Sequence, residues 1–104
     1  VVSQLIRIHY ENALLIPNAF SPNGDGTNDV FRITGVNITD VQLLIYNRWG
    51  QKVYDKADAT NLDTGWDGTQ NGQDAEIGVY VYYGTVTFID GKEEIIKGNV
   101  SLLR

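Results

Sequence analysis

The sequence predicts an all-β fold, an antiparallel Ig-like β-sandwich of about seven strands. Three observations predict it. β-Branched and aromatic residues are abundant, apolar and polar residues alternate with a period of two between turn signals, and no segment shows a convincing helical period. With 104 residues, of which 42% are hydrophobic and 20% charged, the chain has the size and composition of one globular domain.

The predicted strands are separated by turns rich in Gly, Pro and Asn. They are 1–10, 13–20, 29–35, 40–47, 51–55, 78–90 and 93–104. Pro17 limits the second strand, because proline cannot donate a hydrogen bond to a central ladder. The short "RWG" link predicts a hairpin that ends at Gly50, and Asp90-Gly91 predicts a second hairpin between the last two strands. Gly98 predicts a β-bulge in the final strand.

The segment 55–77 has no periodicity and is longer than most loops of a compact domain, so we expect a function or an unrecognised element there. Its acidic residues indicate either a solvated loop or a cation-binding face. Trp66 is predicted to close one end of the core. The predicted core comprises Ile16, Phe20, Phe31, Ile33, Leu43, Ile45, Val53, Trp66, Tyr80, Tyr82, Val86, Phe88, Val100 and Leu102.

Charge and composition exclude several partners and functions. The net charge is -5 and the basic residues are scattered, so neither nucleic acid nor an anionic membrane surface is an expected partner. Apolar runs are too short for direct membrane insertion. The absence of cysteine excludes disulfides and thiolate metal sites. The chain has no methionine and begins within a strand pattern, so we expect a piece of a longer protein, with 1–12 as the end of a preceding segment or a first strand and 13–104 as the domain.

Catalysis is not expected. The chain has a single histidine, His9, in a strand pattern at the margin of the sequence, and its serines are Ser3, Ser21 and Ser101. A nucleophilic triad needs a serine or cysteine beside a base that a carboxylate orients, and no such set is apparent. A domain of this size also leaves little room for a substrate cleft beside its core. We therefore predict that the protein is not an enzyme.

The stretch "FSPNGDGTNDVF" resembles half of a calcium loop. Oxygen-bearing residues on alternate positions can surround Ca²⁺, and Asn23, Asp25, Thr27 and Asp29 are the candidate ligands. Ser21 stands where the first carboxylate is expected, and the bidentate acid is missing. Asn, Asp and Gly also favour tight turns, so a simple turn between two strands is the alternative interpretation, and it needs no metal ion. Calcium is the one cofactor that the sequence suggests.

Aromatic residues suggest a carbohydrate-binding face as another interpretation. Trp49 in the "RWG" turn is the most exposed candidate, with Trp66 and the tyrosines beside it. Tyr80 and Tyr82 share one face of their strand, however, and Tyr83 lies on the other, an alternation that core packing also requires.

Five blocks of sequence together resemble a known family. "IPNAFSPNGDGTNDVFRI", "LLIYNRWGQKVYD", "WDG", "GVYVYYGTV" and "KGNVSLLR" are similar to the gliding-motility-associated C-terminal domain. This is the type B sorting domain of proteins exported by the type IX secretion system of Bacteroidetes. The blocks occur in the family order and extend from about Leu15 to Arg104.

The resemblance implies a function in secretion. A domain of this family directs a large multidomain cargo protein through the periplasm and the outer membrane, to the cell surface or the medium. The implied partners are the outer-membrane translocon or shuttle components and the N-terminal cargo domains of the same chain. The alternative function is a calcium-stabilised adhesive or carbohydrate-binding β-sandwich of a cell-surface adhesin.

The matching blocks suggest where the secretion machinery binds. We expect a surface formed by the "PNGDGTND" loop, the "RWG" turn and the terminal "SLLR" strand, whose edge could accept an added strand. The predicted recognition residues are Asn18, Pro22, Asn23, Asp25, Asn28, Asp29, Arg48, Trp49, Leu102, Leu103 and Arg104.

Overall fold

The structure, a computed structural model, describes residues 11–24, 26, 29–56 and 65–104. These residues form nine strands, and no helix among them is long and apolar enough to cross a membrane. The strands are β1 (Ala13–Leu15), β2 (Ala19–Phe20), β3 (Thr34–Val36), β4 (Ile38–Tyr46), β5 (Lys52–Lys56), β6 (Thr69–Gln70), β7 (Gln73–Asp74), β8 (Gly78–Phe88) and β9 (Glu93–Leu102). The all-β prediction is confirmed, and the predicted strand 1–10 lies outside the described residues.

A five-stranded sheet with the order β2-β9-β8-β4-β5 forms the main layer of the sandwich. Its strands are antiparallel except at one edge, where β2 runs parallel to β9 and pairs Ala19 with Ser101. The small β1-β3 sheet, the β6-β7 hairpin and an isolated bridge between Phe31 and Trp66 supply the remaining paired segments. The core lies on the inner face of the large sheet.

The strand count exceeds the predicted seven for local reasons. The predicted strand 13–20 divides at Pro17 into β1, which pairs with β3, and β2, which pairs with β9. The segment that follows β5 contains the unexpected β6-β7 hairpin. Asn71 and Gly72 both adopt positive φ there, of 55° and 78°, as a type I′ turn requires.

The core follows the alternation of the long strands. Of the fourteen residues predicted for it, all are buried except Ile16 and Val53, which pack half-buried against the rest. Trp66 is fully enclosed in it, with its ring 4.8 Å from that of Tyr80 and 5.3 Å from that of Phe20, and its Nε1 donates to the Thr69 carbonyl. The predicted burial of Trp66 in the core is confirmed.

Gly98 has a different function from the predicted one. The register between β8 and β9 is unbroken from Gly78 to Thr87, so the expected bulge is absent. Gly98 pairs with Tyr82, and a Cβ atom at this position would lie 2.4 Å from the Tyr82 hydroxyl oxygen. The glycine thus makes room for the tyrosine ring. Register shifts lie instead on β4: one at Ile45/Tyr46 opposite β5, directly before the "RWG" turn, and one at Ile38/Asp40 opposite β8.

Candidate functional site

The turn between β4 and β5 is built around the side chain of Asn47, which is 7% exposed. Its Oδ1 accepts hydrogen bonds from the backbone N–H groups of Trp49 and Gln51, at 3.0 and 2.9 Å. Its Nδ2 donates to Oε1 of Gln51, and its carbonyl accepts from the N–H of Gly50. With these groups satisfied internally, the turn holds Arg48 and Trp49 toward solvent.

Arg48, Trp49, Glu76, Ile77 and Val79 form a cluster that we call the corner. The Arg48 guanidinium lies 4.4 Å from the centroid of the Trp49 ring, and its Nη2 lies 3.5 Å from Oε2 of Glu76. Both charged side chains are mostly exposed, so the ion pair orients Arg48 but adds little stability. Trp49, Ile77 and Val79 are 62%, 61% and 55% exposed.

The corner is a surface and not a ligand pocket. The cavity that its side chains line holds about 30 Å³, enough for a water molecule but far below the volume of a typical ligand site. Trp66 is 2% exposed, so it cannot join Trp49 in a stacking face for sugars. Exposed apolar side chains on a rigid turn are instead typical of a protein-binding surface.

Apolar side chains continue from the corner along the outer face of the large sheet. Val79, Val81 and Tyr83 alternate with the buried Tyr80 and Tyr82 on β8, as predicted, and remain 39% to 55% exposed. Ile95 on β9 pairs with Thr85 and is 69% exposed. We call Val79, Val81, Tyr83 and Ile95 the outer row.

The end of β9 is enclosed between two strands. The N–H groups of Ser101 and Leu103 donate to the carbonyls of Asn18 and Phe20, at 2.9 Å each, while β8 pairs on the other side. This arrangement corrects two expectations. The "SLLR" strand offers no open edge at Ser101 and Leu103, and Leu102 is fully buried and so cannot contact a receptor in the folded domain. Leu103 remains 48% exposed.

Arg104 ties the end of β9 to the β6-β7 hairpin. Its Nη2 donates to the carbonyls of Gly68 and Ala75, at 2.9 and 3.2 Å, and its Nη1 lies 3.6 Å from Oδ1 of Asp74. The chain then continues from Asp74 to Glu76, the partner of Arg48. The predicted "RWG" turn and terminal strand therefore lie at the same end of the sheet.

Pro22 belongs to this end of the sheet as well. A Cβ atom on Gly68 would lie 3.0 Å from Cγ of Pro22 and 3.5 Å from Nη2 of Arg104. Asn18, also predicted to take part in recognition, contributes its backbone carbonyl to the pairing of β2 with β9.

Asp29 shapes the glycine-rich loop that precedes β3. One carboxylate oxygen accepts hydrogen bonds from the N–H groups of Asn23 and Gly24, at 3.2 and 3.0 Å, and the other accepts from Gly26 at 2.7 Å. Gly24 and Gly26 adopt φ of +80° and +81°, which other residues adopt only with strain. Asp29 thus holds the loop in shape by binding its backbone.

Calcium binding by Asn23, Asp25, Thr27 and Asp29 stays a prediction, because Asp25, Thr27 and Asn28 lie outside the described residues. Within the described ranges, no three Asp, Glu, His or Cys side chains come together in a way that could hold a metal ion.

Replacing Asp29 with alanine is expected to lower the free energy of unfolding by about 1–2 kcal/mol, since three backbone N–H groups lose their acceptor. Urea unfolding in the presence of EDTA would measure the change without any contribution from calcium. Asp74→Ala is the matched control, because its exposed carboxylate makes only a surface ion pair. Equal stability of the two variants would show that the loop does not need Asp29.

The sequence pattern did not indicate that Asn47 is the centre of the turn, and it did not indicate the β6-β7 hairpin that precedes Glu76 and Ile77. The dipeptide Asn71-Gly72 was the available signal for this hairpin. Tyr80 supports the residues that follow it, since its hydroxyl donates to the Glu76 carbonyl at 2.6 Å. Burial raises the pKa of Tyr80, so the hydroxyl keeps its proton and continues to donate at neutral pH.

Comparison with known protein families gives one result that bears on function. A sequence model of the CHU_C type IX secretion signal domain matches residues 14–102, which include the corner, the outer row and the whole of β9. The search of curated proteins gave no match.

Proposed function

The chain belongs to the type IX secretion signal domain family, and on this basis we propose that it directs a large multidomain cargo protein through the outer membrane. The cargo passes through the periplasm and reaches the cell surface or the medium. The partners are components of the outer-membrane translocon or its shuttle, and the cargo domains precede this domain in the same chain. The domain itself performs no catalysis.

One observation carries the assignment of the binding surface: the outer face of the large sheet keeps an exposed row of apolar side chains. The solvent-facing side of an antiparallel sheet is usually polar. Here, however, Val79, Val81 and Ile95 are apolar and at least 39% exposed. Exposed apolar side chains in a row, next to an exposed tryptophan, mark a surface that another protein covers. We assign the corner and the outer row to the secretion machinery.

The physical basis of recognition is burial of apolar area on a rigid support. Covering apolar surface contributes about 25 cal/mol per Å². Tryptophan and arginine are among the residue types that most often dominate the binding energy of protein interfaces. Trp49 and Arg48 both project from a turn that the hydrogen bonds of Asn47 hold in shape. Because the turn and the sheet are already ordered, binding loses little conformational entropy.

Fusion of residues 13–104 to a reporter protein, in a cell with a type IX secretion system, tests the export function. We expect the reporter to reach the cell surface or the medium. Retention in the periplasm, while an established sorting domain exports the same reporter, would contradict the proposal.

Point variants of the same fusion test the surface. Trp49→Ala and Val79→Asp are expected to reduce export about tenfold or more, by removing apolar contacts with the machinery. Leu15→Asp and Ile89→Asp are matched controls, since both residues are exposed and apolar but lie away from the corner and the outer row. They are expected to be exported normally. Normal export of the first pair, with melting temperatures unchanged throughout, would show that the machinery binds elsewhere.

A further inference from the structure

The first half of β9 is an open edge of the large sheet. In the described part of the chain, β8 pairs with β9 from Glu93 onward, whereas β2 covers its other side only at Ser101 and Leu102. Among the residues that the structure describes, no strand therefore pairs with 93–99 on that side. Long open edges are generally blocked in folded proteins because their backbone groups can pair with another chain.

The direction of the free backbone groups follows from the bonds at the end of the strand. The N–H groups of Ser101 and Leu103 point toward β2. Backbone direction alternates along a strand, so the N–H and C=O groups of Glu93, Ile95 and Lys97 point outward at the open edge. The side chains of the same residues lie on the outer face and are exposed.

The sequence of this edge is complementary to itself. In Glu93-x-Ile95-x-Lys97, an acid and a base stand at equal distances from a central apolar residue. We propose that two copies of the domain pair antiparallel along this edge, with Ile95 opposite Ile95 of the second copy. Glu93 of each copy then faces Lys97 of the other, and the outward backbone groups exchange hydrogen bonds.

Neighbouring registers are less favourable. A shift that centres the pairing on Ile96 places Lys97 opposite Ile95 and leaves both charges without an opposite partner. The pairing is also short, because the Asp90-Gly91 turn ends the strand on one side and Asn18 covers it near Ser101 on the other. An interface of this size is weak, so we expect dimers only at high concentration, for example where many copies accumulate before export.

The charges provide the test. Sedimentation equilibrium of the full chain, up to millimolar concentration, is expected to show a monomer–dimer equilibrium. Lys97→Glu and Glu93→Lys should each weaken it about tenfold or more, since each change places like charges opposite one another twice in the symmetric pair. An equimolar mixture of the two variants should associate at least as well as the original chain, because one copy then presents two acids and the other two bases.

A cysteine variant tests the register. The chain has no cysteine, so Ile95→Cys introduces a single thiol at the predicted axis. Under mild oxidation it should form a disulfide-linked dimer, whereas Val79→Cys, on the same face but away from the edge, should not. A chain that stays monomeric at millimolar concentration would overturn the proposal. The proposal would also be overturned if both charge-reversal variants associated as strongly as the original chain, or if the two cysteine variants crosslinked equally.

Discussion

Replacing Trp66 with alanine is expected to lower the free energy of unfolding by about 3–5 kcal/mol, a large part of the stability of a domain this size. The side chain is 2% exposed and packs against Phe20 and Tyr80. Its indole N–H donates to Thr69, and its backbone exchanges two hydrogen bonds with Phe31, at 2.8 and 2.9 Å. Truncation would leave a cavity where the segment after β5 is attached to the sheet. Urea unfolding followed by circular dichroism would measure the loss.

The second tryptophan of the chain is the matched control. Trp49 is 62% exposed, so Trp49→Ala should change stability by less than about 0.5 kcal/mol. The two variants also separate folding from recognition. Trp49→Ala should lose export while it stays folded, and Trp66→Ala should lose export because it unfolds. A stable Trp66→Ala variant would show that the core does not depend on this side chain.

Gly84→Ala is the second change from which we expect a large effect, a destabilisation of about 3 kcal/mol or more. Gly84 lies buried in the middle of β8 and pairs with Leu43. A Cβ atom there would lie 2.1 Å from the backbone carbonyl oxygen of Gln42. To relieve this contact, β4 and β8 must move apart, because a backbone carbonyl cannot rotate away as a side chain can. Thermal unfolding would measure the effect.

Gly98→Ala is the matched comparison for Gly84→Ala, since the atoms that an added Cβ would contact at Gly98 belong to a side chain. Gly98→Ala should also destabilise the domain, because the added Cβ would lie 2.4 Å from the hydroxyl oxygen of Tyr82 and 2.7 Å from its Cζ. In a Tyr82→Leu background the ring is absent, and the penalty of Gly98→Ala should largely disappear. The penalty of Gly84→Ala should persist in the same background. Equal rescue of both glycine variants would contradict the assignment of the Gly84 contact to backbone.

The long strands could be predicted from the sequence because their information is local. Alternation assigned Tyr80 and Tyr82 to the core and Tyr83 to the outer face, and Asp90-Gly91 located the last hairpin. The exposure of Trp49 followed from its position in a short turn. Each of these features depends on residues that are close together in the chain.

Features that depend on distant contacts could not be predicted in the same way. The parallel pairing of β2 with the end of β9 joins residues about eighty positions apart in the chain, and no local pattern indicates it. The exposure of the outer row could not be predicted for another reason: β8 is apolar on both faces, and alternation does not indicate whether the face opposite the core is covered. Gly98 was predicted to form a bulge. A glycine in a strand can also mark close packing, and the sequence does not distinguish the two.

The contribution of β9 to the core has a consequence for synthesis. The last strand of the described domain, β9, pairs with β8 along its whole length and with β2 at its end, and it supplies Val100 and Leu102 to the core. A chain whose translation stalls before Glu93 therefore lacks an interior strand and cannot complete the sandwich. If export requires the folded domain, a chain that is truncated before β9 is expected to remain inside the cell.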